Sequence, residues 1–315
     1  MTMKKINKLV FLFNIAIVAL SLTFIVGCNG SAPADKNKPS ATNGSIHVSI
    51  DESFKPIIDS QIKVFNSTYP DAIIIPDYKP EAECFKDLDT DSTKMVIVTR
   101  GLTDKEAAYY KAKDRFVPQW GVIAFDAIAV ILNVKDKKNE FSVDDIIQII
   151  SGNPAYKYTA VFDGIKATST VQYAIDSLLR GKPLGKNVYA AKNSEDVIDY
   201  VSKNENTIGF IGVSWIGNRD DPQQQSFLKS VKLAAIDFNY HPDRPIAQPY
   251  QANIQLGRYA FTRGVYYVLK GGAGTDVGNN FANFLMSERG QLIFKRAYLL
   301  PARMQFEVRK ANISE

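Results

Sequence analysis

The stretch Ile46-His47-Val48-Ser49-Ile50-Asp51-Glu52-Ser53-Phe54 decides the fold class, because its pattern changes from that of a strand to that of a helix. Apolar residues alternate with polar ones up to Ile50, which is typical of a strand. After Ser53 the apolar residues share one helical face: Phe54, Ile57, Ile58, Ile62 and Phe65. A strand that leads directly into an amphipathic helix is typical of α/β proteins.

Strand and helix patterns continue to alternate along the chain. Further strands are predicted at 72–75, 95–99, within 117–132, at 207–213 and at 265–269. Helices are predicted at 81–88, 103–113, 143–150, 171–179, 277–286 and 290–297. Ser142 is expected to be an N-cap, with Asp144 and Asp145 in the first helical turn, where the helix dipole favours acidic groups. The sequence therefore predicts an α/β fold.

The N-terminus has the layout of a bacterial lipoprotein signal. Lys4, Lys5 and Lys8 precede an apolar stretch that ends in Ile25-Val26-Gly27-Cys28. We therefore predict a signal peptide at residues 1–27 and lipid attachment at Cys28. A transmembrane anchor is the alternative, because about 18 apolar residues can just span a bilayer.

Resemblance to bacterial lipoproteins implies a diacylglyceryl thioether and an amide-linked acyl group on Cys28. Two or more acyl chains anchor a protein stably, so the expected location is the periplasmic or extracellular face of a bacterial membrane. The segment after Cys28, up to residue 45, has no large aliphatic or aromatic side chain and is predicted to be a flexible tether. The body from Ile46 to Glu315 is long enough for two domains.

Composition argues against several classes of protein. The chain has 38 Lys and Arg against 33 Asp and Glu, and removal of the three signal lysines leaves it close to neutral. Near-neutrality and the lack of a dense basic run argue against nucleic-acid binding. With Cys28 lipidated, Cys84 has no disulfide partner, and we predict a buried structural thiol there rather than a catalytic or redox one.

No catalytic signature is complete. Gly212-Val213-Ser214-Trp215-Ile216-Gly217 resembles a nucleophile elbow, but two residues separate Ser214 from Gly217 where the motif needs one. Only His47 and His241 are available as a histidine base. Gly271-Gly272-Ala273-Gly274 lacks the Lys-Ser/Thr of a phosphate loop and is interpreted as a turn. Two distant histidines also argue against a transition-metal site. We expect no catalytic residue, metal or cofactor.

Two turns that precede helices are rich in hydroxyl groups. Ser53 stands before the first helix, and Thr168-Ser169-Thr170 precede the helix predicted from Val171. Hydroxyls and free N–H groups at a helix N-terminus can bind an anion. The alternative is that Ser53 and Thr168 or Ser169 are only N-caps.

The order of several short motifs resembles the phosphate-binding proteins of bacterial ABC importers. The resemblance covers most of the chain, from Ile46 to about Pro301. Its motifs are Asp51-Glu52-Ser53-Phe54, Met95 to Leu102, Asp126 to Val130, Ser142 to Gly152, Thr168-Ser169-Thr170, Ile208 to Gly212 and Tyr259 to Arg263. It implies the two-lobe periplasmic binding protein fold (type 2), with mixed sheets flanked by helices and a ligand cleft between the lobes. Lobe one is then about 46–132 plus 246–315, and lobe two is about 133–245.

The resemblance also implies a ligand site. The matching positions are Ser53, Phe54, Thr99, Arg100, Thr168, Ser169 and Thr170. Asp126 is a candidate acceptor that would favour a protonated phosphate oxygen over sulfate; a structural role at the end of a strand is the alternative.

Two departures from the family pattern affect this site. The family's lobe-two arginine has no counterpart in Phe162-Asp163-Gly164, so Lys166, Arg100 or Arg263 would have to supply the positive charge. Asp51 and Glu52 stand where the family has small residues. Either these acids point away from the site, or the ligand is not simple phosphate.

We therefore predict a monomeric, lipid-anchored solute-binding protein that captures phosphate for ABC permease subunits and catalyses no reaction. The alternatives are a binder of another oxyanion or of a phosphorylated metabolite, and an interaction protein that kept the fold and lost the ligand. An extracellular hydrolase would need a base near Ser214.

Overall fold

The structure is a computed structural model that describes residues 40–90, 92–164, 168–271 and 276–303. The strands are β1 Gly44–Asp51, β2 Ala72–Lys79, β3 Thr93–Val98, β4 Gln119–Asn133, β5 Glu140–Ser142, β6 Thr159–Phe162, β7 Val188–Ala190, β8 Thr207–Gly212, β9 Val231–Leu233, β10 Ala235–Asp237, β11 Ile246–Ala247, β12 Thr262–Leu269 and β13 Leu300–Pro301.

The helices lie between these strands. They are α1 Lys55–Thr68, α2 Glu81–Leu88, α3 Asp104–Asp114, α4 Val143–Ser151, α5 Ser169–Tyr173, α6 Ser194–Lys203, α7 Pro222–Phe227, α8 Gln251–Gln255, α9 Val277–Met286 and α10 Glu288–Arg296. Short 3-10 turns at Glu52–Phe54 and Val213–Trp215 precede α1 and follow β8, and a π-helical turn at Ala174–Leu178 continues α5. The alternation of strands and helices confirms the predicted α/β class.

A mixed sheet organises the described part of the chain. Its main strand order is β2-β1-β3-β12-β4-β8-β6-β7, with β9 and β13 also paired to β4. β1 runs parallel to β2 and β3, and β6 runs parallel to β7 and β8, whereas β12 is antiparallel to β3 and β4. A smaller sheet has the order β11-β10-β5. The prediction of mixed sheets flanked by helices is therefore confirmed.

The long strand β4 joins the two groups of parallel strands. Residues 119–127 of β4 pair with β12, and residues 128–132 pair with β8. Asp126 lies next to this change of partner. Because β4 pairs with β12 along one part of its length and with β8 along the next, residues far apart in sequence can meet beside Asp126.

Apolar side chains of the helices cover the sheet. Ile57, Ile58 and Phe65 of α1 are buried, as the helical pattern predicted. Phe65 packs edge to face against Phe281 and Phe284 of α9, with ring centroids 5.1 and 5.5 Å apart. Burial of each large apolar side chain contributes about 1.5–3 kcal/mol, so these contacts fix α1 and α9 on the same face of the sheet.

Most local predictions match the structure closely. Ser142 caps α4: its hydroxyl accepts from the N–H of Asp145 at 3.0 Å, and Asp145 accepts from the N–H of Ser142 at 3.1 Å. The helix at 277–286 has the predicted bounds. Several boundaries differ: β1 begins at Gly44 rather than Ile46, β12 begins at Thr262 rather than Val265, and the helix predicted from Val171 begins at Ser169.

Cys84 is buried, as predicted, and its thiol lies 3.8 Å from the carbonyl oxygen of Lys79. Burial raises the pKa of this thiol, which keeps it protonated and unreactive. None of the described helices is both long and apolar enough to cross a membrane. The predicted signal at 1–27, Cys28, the tether up to residue 39, Lys166 and residues 272–274 of the glycine turn lie outside the described residues.

Candidate oxyanion site

Arg263 is the centre of the candidate site. It lies on β12 directly opposite Asp126 of β4, and its Nε and Nη2 are 2.9 and 2.8 Å from Oδ2 of Asp126. Both side chains are closed to solvent, with exposed fractions of 4% and 0%. Burial opposes the charge of Arg263, but the carboxylates of Asp126 and Asp51 favour it, and the pKa of Arg263 is raised overall. The site therefore contains a permanent positive charge.

Three hydroxyl groups surround this guanidinium. Nη2 donates to Oγ of Ser53 at 3.0 Å, and Nη1 donates to Oγ of Ser169 at 2.8 Å and to Oγ1 of Thr170 at 3.4 Å. The ring of Phe54 lies 5.2 Å from the guanidinium carbon, within cation–π range. The fold thus brings together Ser53, Phe54, Ser169 and Thr170 from two distant turns.

The carboxylate of Asp51 points into the centre of this group. Its Oδ1 accepts hydrogen bonds from the N–H of Ser53 at 3.0 Å, from the hydroxyl of Ser169 at 2.9 Å, and from the hydroxyl of Ser53. Its Oδ2 is buried and has no hydrogen-bond partner. Asp51 therefore does not point away from the site, so simple phosphate fits these donors only if it takes the place of the Asp51 carboxylate.

A second group of acids lies on the other side of Thr170. Glu52 accepts from the N–H of Ser194 at 3.3 Å and from its hydroxyl at 3.0 Å, at the start of α6. The same hydroxyl is 3.3 Å from Asp163, and Thr170 is 3.5 Å from Asp163. Burial, followed by the charge of Asp163, raises the pKa of Glu52 to about 8. Burial, followed by the charge of Asp51, raises the pKa of Asp163 to about 6.

Thr99 and Arg100 lie at a neighbouring cleft and are already paired. Glu81 accepts from the N–H of Thr99 at 2.6 Å and from its hydroxyl at 2.7 Å. Arg100 forms a bidentate ion pair with Glu106, in which Nη1 and Nη2 lie 2.8 and 2.9 Å from the carboxylate oxygens. The guanidinium carbon of Arg100 also lies 4.0 Å from the ring centroid of Phe85. The positive charge that contacts the hydroxyls of Ser53 and Ser169 is therefore that of Arg263, whereas Arg100 is paired with Glu106.

The cleft between these groups has a volume of about 440 Å³. Its lining includes Thr99, Arg100, Ser169, Tyr173 and Arg263. This volume lies within the range of pockets that bind small organic ligands, about 300–1,000 Å³, and it exceeds what a tetrahedral anion needs. Despite the number of carboxylates, no group of acidic, histidine or cysteine side chains in the described ranges is arranged to hold a metal ion.

The N-cap interpretation holds for one of the two turns and fails for the other. The hydroxyl of Thr168 accepts from the N–H of Val171 at 3.2 Å, so Thr168 caps α5. The interpretation of Ser53 as a simple N-cap is wrong, because the residue before α1 is Phe54 and the hydroxyl of Ser53 contacts Arg263 and Asp51 instead. Packing across the site, rather than local capping, orients Ser53.

Gly212 and Ser214, which belong to the pattern that resembled a nucleophile elbow, lie against the backbone of Ser53. The hydroxyl of Ser214 donates to the carbonyl oxygen of Ser53 at 3.2 Å. A Cβ atom on Gly212 would lie 2.9 Å from that same oxygen and 3.4 Å from Nη2 of Arg263. Gly212 and Ser214 therefore position the backbone of Ser53.

Sequence reasoning missed the central roles of Asp51 and Arg263 and the contacts of Glu81, Asp163 and Ser194. Arg263 was one of three candidate replacement cations, and nothing in its local sequence separated it from the other two. The information that identifies Arg263 is the register of β4 and β12, because Arg263 can pair with Asp126 only if the two strands are neighbours.

A family model described as PBP superfamily domain matches residues 35–289 of the chain. The chain is also similar to a Clostridium perfringens structure with bound phosphate, assigned as a phosphate ABC transporter substrate-binding protein. The two share 20% identity with a TM-score of 0.66, over 82% of this chain and 100% of that one. An ABC-type phosphate transport receptor from Vibrio cholerae has 18% identity and a TM-score of 0.60, over 82% and 100% of the two chains.

The same fold occurs in a regulatory protein. The CcmR regulatory domain of Synechocystis, in complex with 2-PG, has 12% identity and a TM-score of 0.52, over 78% of this chain and 96% of that one. No curated protein matches the sequence significantly. At these identities the solved structures establish a shared fold, and together with the family match they confirm the predicted two-lobe architecture.

Proposed function

This chain belongs to the PBP superfamily, and on that premise we propose that it is a substrate-binding protein that captures inorganic phosphate for an ABC importer. It binds as a monomer, catalyses no reaction itself and passes the ligand to the permease subunits. The relatives with solved structures that are described as phosphate receptors support this ligand class.

The observation that carries the proposal is the convergence of donors on one oxygen atom. The N–H and hydroxyl of Ser53 and the hydroxyl of Ser169 donate to a single carboxylate oxygen, Oδ1 of Asp51, and the guanidinium of Arg263 donates to the oxygens of both hydroxyl groups. An oxygen of phosphate has the same charge character and the same need for donors. Arg263 supplies the positive charge that the stretch Phe162-Asp163-Gly164 lacks.

The carboxylates around these donors favour an oxyanion that brings its own proton. Asp126 and Asp163 each have a buried oxygen without a hydrogen-bond partner. A protonated phosphate oxygen can donate to such an acceptor, whereas fully ionised sulfate cannot. Selection of phosphate over sulfate is therefore the expected specificity.

The size of the cleft favours a second candidate, a phosphorylated metabolite. About 440 Å³ beside Arg263 leaves room for an organic group next to the phosphate. Phe85 and Tyr173 line this space and offer apolar surface to such a group.

We also propose where the protein is located and how its body divides into lobes. Residues 1–27 act as the signal, Cys28 carries the lipid, and the segment between Cys28 and β1 tethers the body to the outer face of the membrane. Residues 46–132 plus 246–315 form lobe one and residues 133–245 form lobe two. Arg263 and Ser53 then belong to lobe one, and Ser169 belongs to lobe two, so the ligand site lies between them.

Calorimetric titration of the purified full chain with phosphate tests the function. Sulfate and molybdate serve as controls, and glycerol phosphate tests the larger ligand. Saturable binding of phosphate at one site, lost in Arg263→Lys and weakened in Ser169→Ala, supports the proposal. Absence of heat at millimolar phosphate contradicts it, and binding of glycerol phosphate alone favours the second candidate.

A further inference from the structure

The carboxylate of Asp51 occupies the position that the donors of the site provide for an oxyanion. Its Oδ1 receives the N–H and hydroxyl of Ser53 and the hydroxyl of Ser169. We propose that Asp51 is a built-in occupant of the oxyanion site, which a free oxyanion must displace, so that Asp51 sets the affinity and charge class of the ligand. This inference rests on the proposed function.

The hydroxyl protons make the competition exclusive. A serine hydroxyl has one proton to donate, and both Ser53 and Ser169 direct theirs to Asp51. The same two hydroxyl oxygens accept from Arg263. While Asp51 is in place, neither hydroxyl has a proton left for a ligand.

Local capping alone does not explain this arrangement. The short turn at Glu52–Phe54 needs only the hydrogen bond from the N–H of Ser53 to Asp51. The contact with Ser169 instead joins residues 118 positions apart. Capping also does not require the second carboxylate oxygen to be buried, yet Oδ2 of Asp51 has no partner, and an unpaired buried polar group destabilises the folded state.

The surrounding charges explain why an anion would have to replace Asp51 rather than join it. Asp51 interacts electrostatically with Asp126 on β4, Asp163 after β6, Glu81 on α2 and its neighbour Glu52. Among the described side chains that contact the donors of the site, Arg263 provides the positive charge. An additional anion would increase an existing excess of acidic groups, whereas exchange for Asp51 leaves the balance nearly unchanged.

Removal of the Asp51 carboxylate tests the inference. Asp51→Ala vacates the donors, and Glu52→Gln is the matched control because Glu52 contacts Ser194 and not Ser53 or Ser169. We expect Asp51→Ala to bind phosphate about 10- to 100-fold more tightly than the unmodified chain, as freed charge-assisted hydrogen bonds predict. Formate, a free carboxylate, should raise the melting temperature of Asp51→Ala only.

The two probes separate this inference from the proposed function. If Asp51→Ala gains formate binding and neither protein binds phosphate, the inference stands and the phosphate proposal fails. If the unmodified chain binds phosphate and Asp51→Ala binds it equally or more weakly, without a formate effect, the inference is overturned alone. If neither protein binds either probe, both fail.

Asp51→Asn provides a second variant should Asp51→Ala not fold. Its side-chain oxygen can still accept from the N–H of Ser53, so the turn keeps its cap, while the charge that competes with the ligand is removed. Tighter phosphate binding by Asp51→Asn than by Glu52→Gln supports the inference. Unchanged or weaker binding overturns it.

Discussion

Arg263 and Asp126 lie directly opposite each other on antiparallel strands, and their side chains form an ion pair that is closed to solvent. A one-residue slip of β12 against β4 would turn Arg263 to the face of the sheet opposite Asp126. The pairing of β12 with β4 therefore determines where the positive charge of the site lies.

Arg263→Met should destabilise the protein strongly, because it leaves the carboxylate of Asp126 buried without its partner. The expected loss is about 3–5 kcal/mol in the free energy of unfolding, measured by urea denaturation. Arg244→Met is the control, since the pair of Arg244 with Asp237 is exposed on the arginine side and should contribute less than about 1 kcal/mol. Equal losses in the two variants would contradict the prediction.

Glu52 should make stability depend on pH. Its pKa is about 8 in the folded protein and near 4.5 in the unfolded chain, so the folded state holds the proton more tightly. The resulting stabilisation is complete below pH 4.5 and is lost as the pH rises to about 8, by at most about 1.4 kcal/mol per pH unit.

Urea unfolding of Glu52→Gln between pH 5 and pH 8.5 checks this. The variant should lose much of the pH dependence and gain stability relative to the unmodified chain as the pH rises. Glu83→Gln, at an exposed position of α2, should follow the unmodified chain. The same slope in all three proteins would refute the assignment to Glu52.

Gly212→Ala should displace the backbone of Ser53 and thereby disturb the candidate site. The new Cβ would lie 2.9 Å from the carbonyl oxygen of Ser53, so the backbone of one of the two must move. We expect a loss of about 1–3 kcal/mol in stability and weaker phosphate binding. Gly271→Ala is the control, because among the described residues its Cβ would meet Oδ2 of Asp276 at 3.5 Å, an ordinary contact distance. Unchanged binding in Gly212→Ala would show that Ser53 tolerates the shift.

Thr168 and Ser169 should separate capping from ligand binding. Thr168→Ala removes the cap of α5 and should cost about 1 kcal/mol of stability with little effect on phosphate affinity. Ser169→Ala removes a donor that contacts Arg263 and Asp51, and it should weaken phosphate binding about tenfold. Melting curves and calorimetry on both variants test this. The opposite pattern would place the ligand contact at Thr168.

Cys28→Ser should release the protein from the membrane, because the predicted lipid attachment needs the thiol. The measurement is the share of protein in the detergent phase after Triton X-114 partitioning. Cys84→Ser controls for the loss of a thiol, since Cys84 is buried in the body. Retention of Cys28→Ser in the membrane would favour the alternative of a transmembrane anchor.

The amino-acid sequence by itself determined the fold class and part of the local elements; β6 and α6, for example, were not predicted. The apolar face of α1, the cap at Ser142 and the bounds of α9 depend on neighbours within a few residues, and such short-range spacing is written directly in the sequence. The order of short motifs also predicted the superfamily. The same motifs identified four candidate site residues: Ser53, Asp126, Ser169 and Thr170.

Only the tertiary structure decided which of these residues contact one another. Asp51, Asp126, Ser169 and Arg263 come from four separate segments, and they meet because β4 pairs with β12 on one side and β8 on the other. The direction of the Asp51 side chain and the choice of Arg263 over Arg100 depend on burial and on competing partners, such as Glu106 for Arg100. Such competition between distant groups is settled by packing, which the spacing of residues along the chain does not encode.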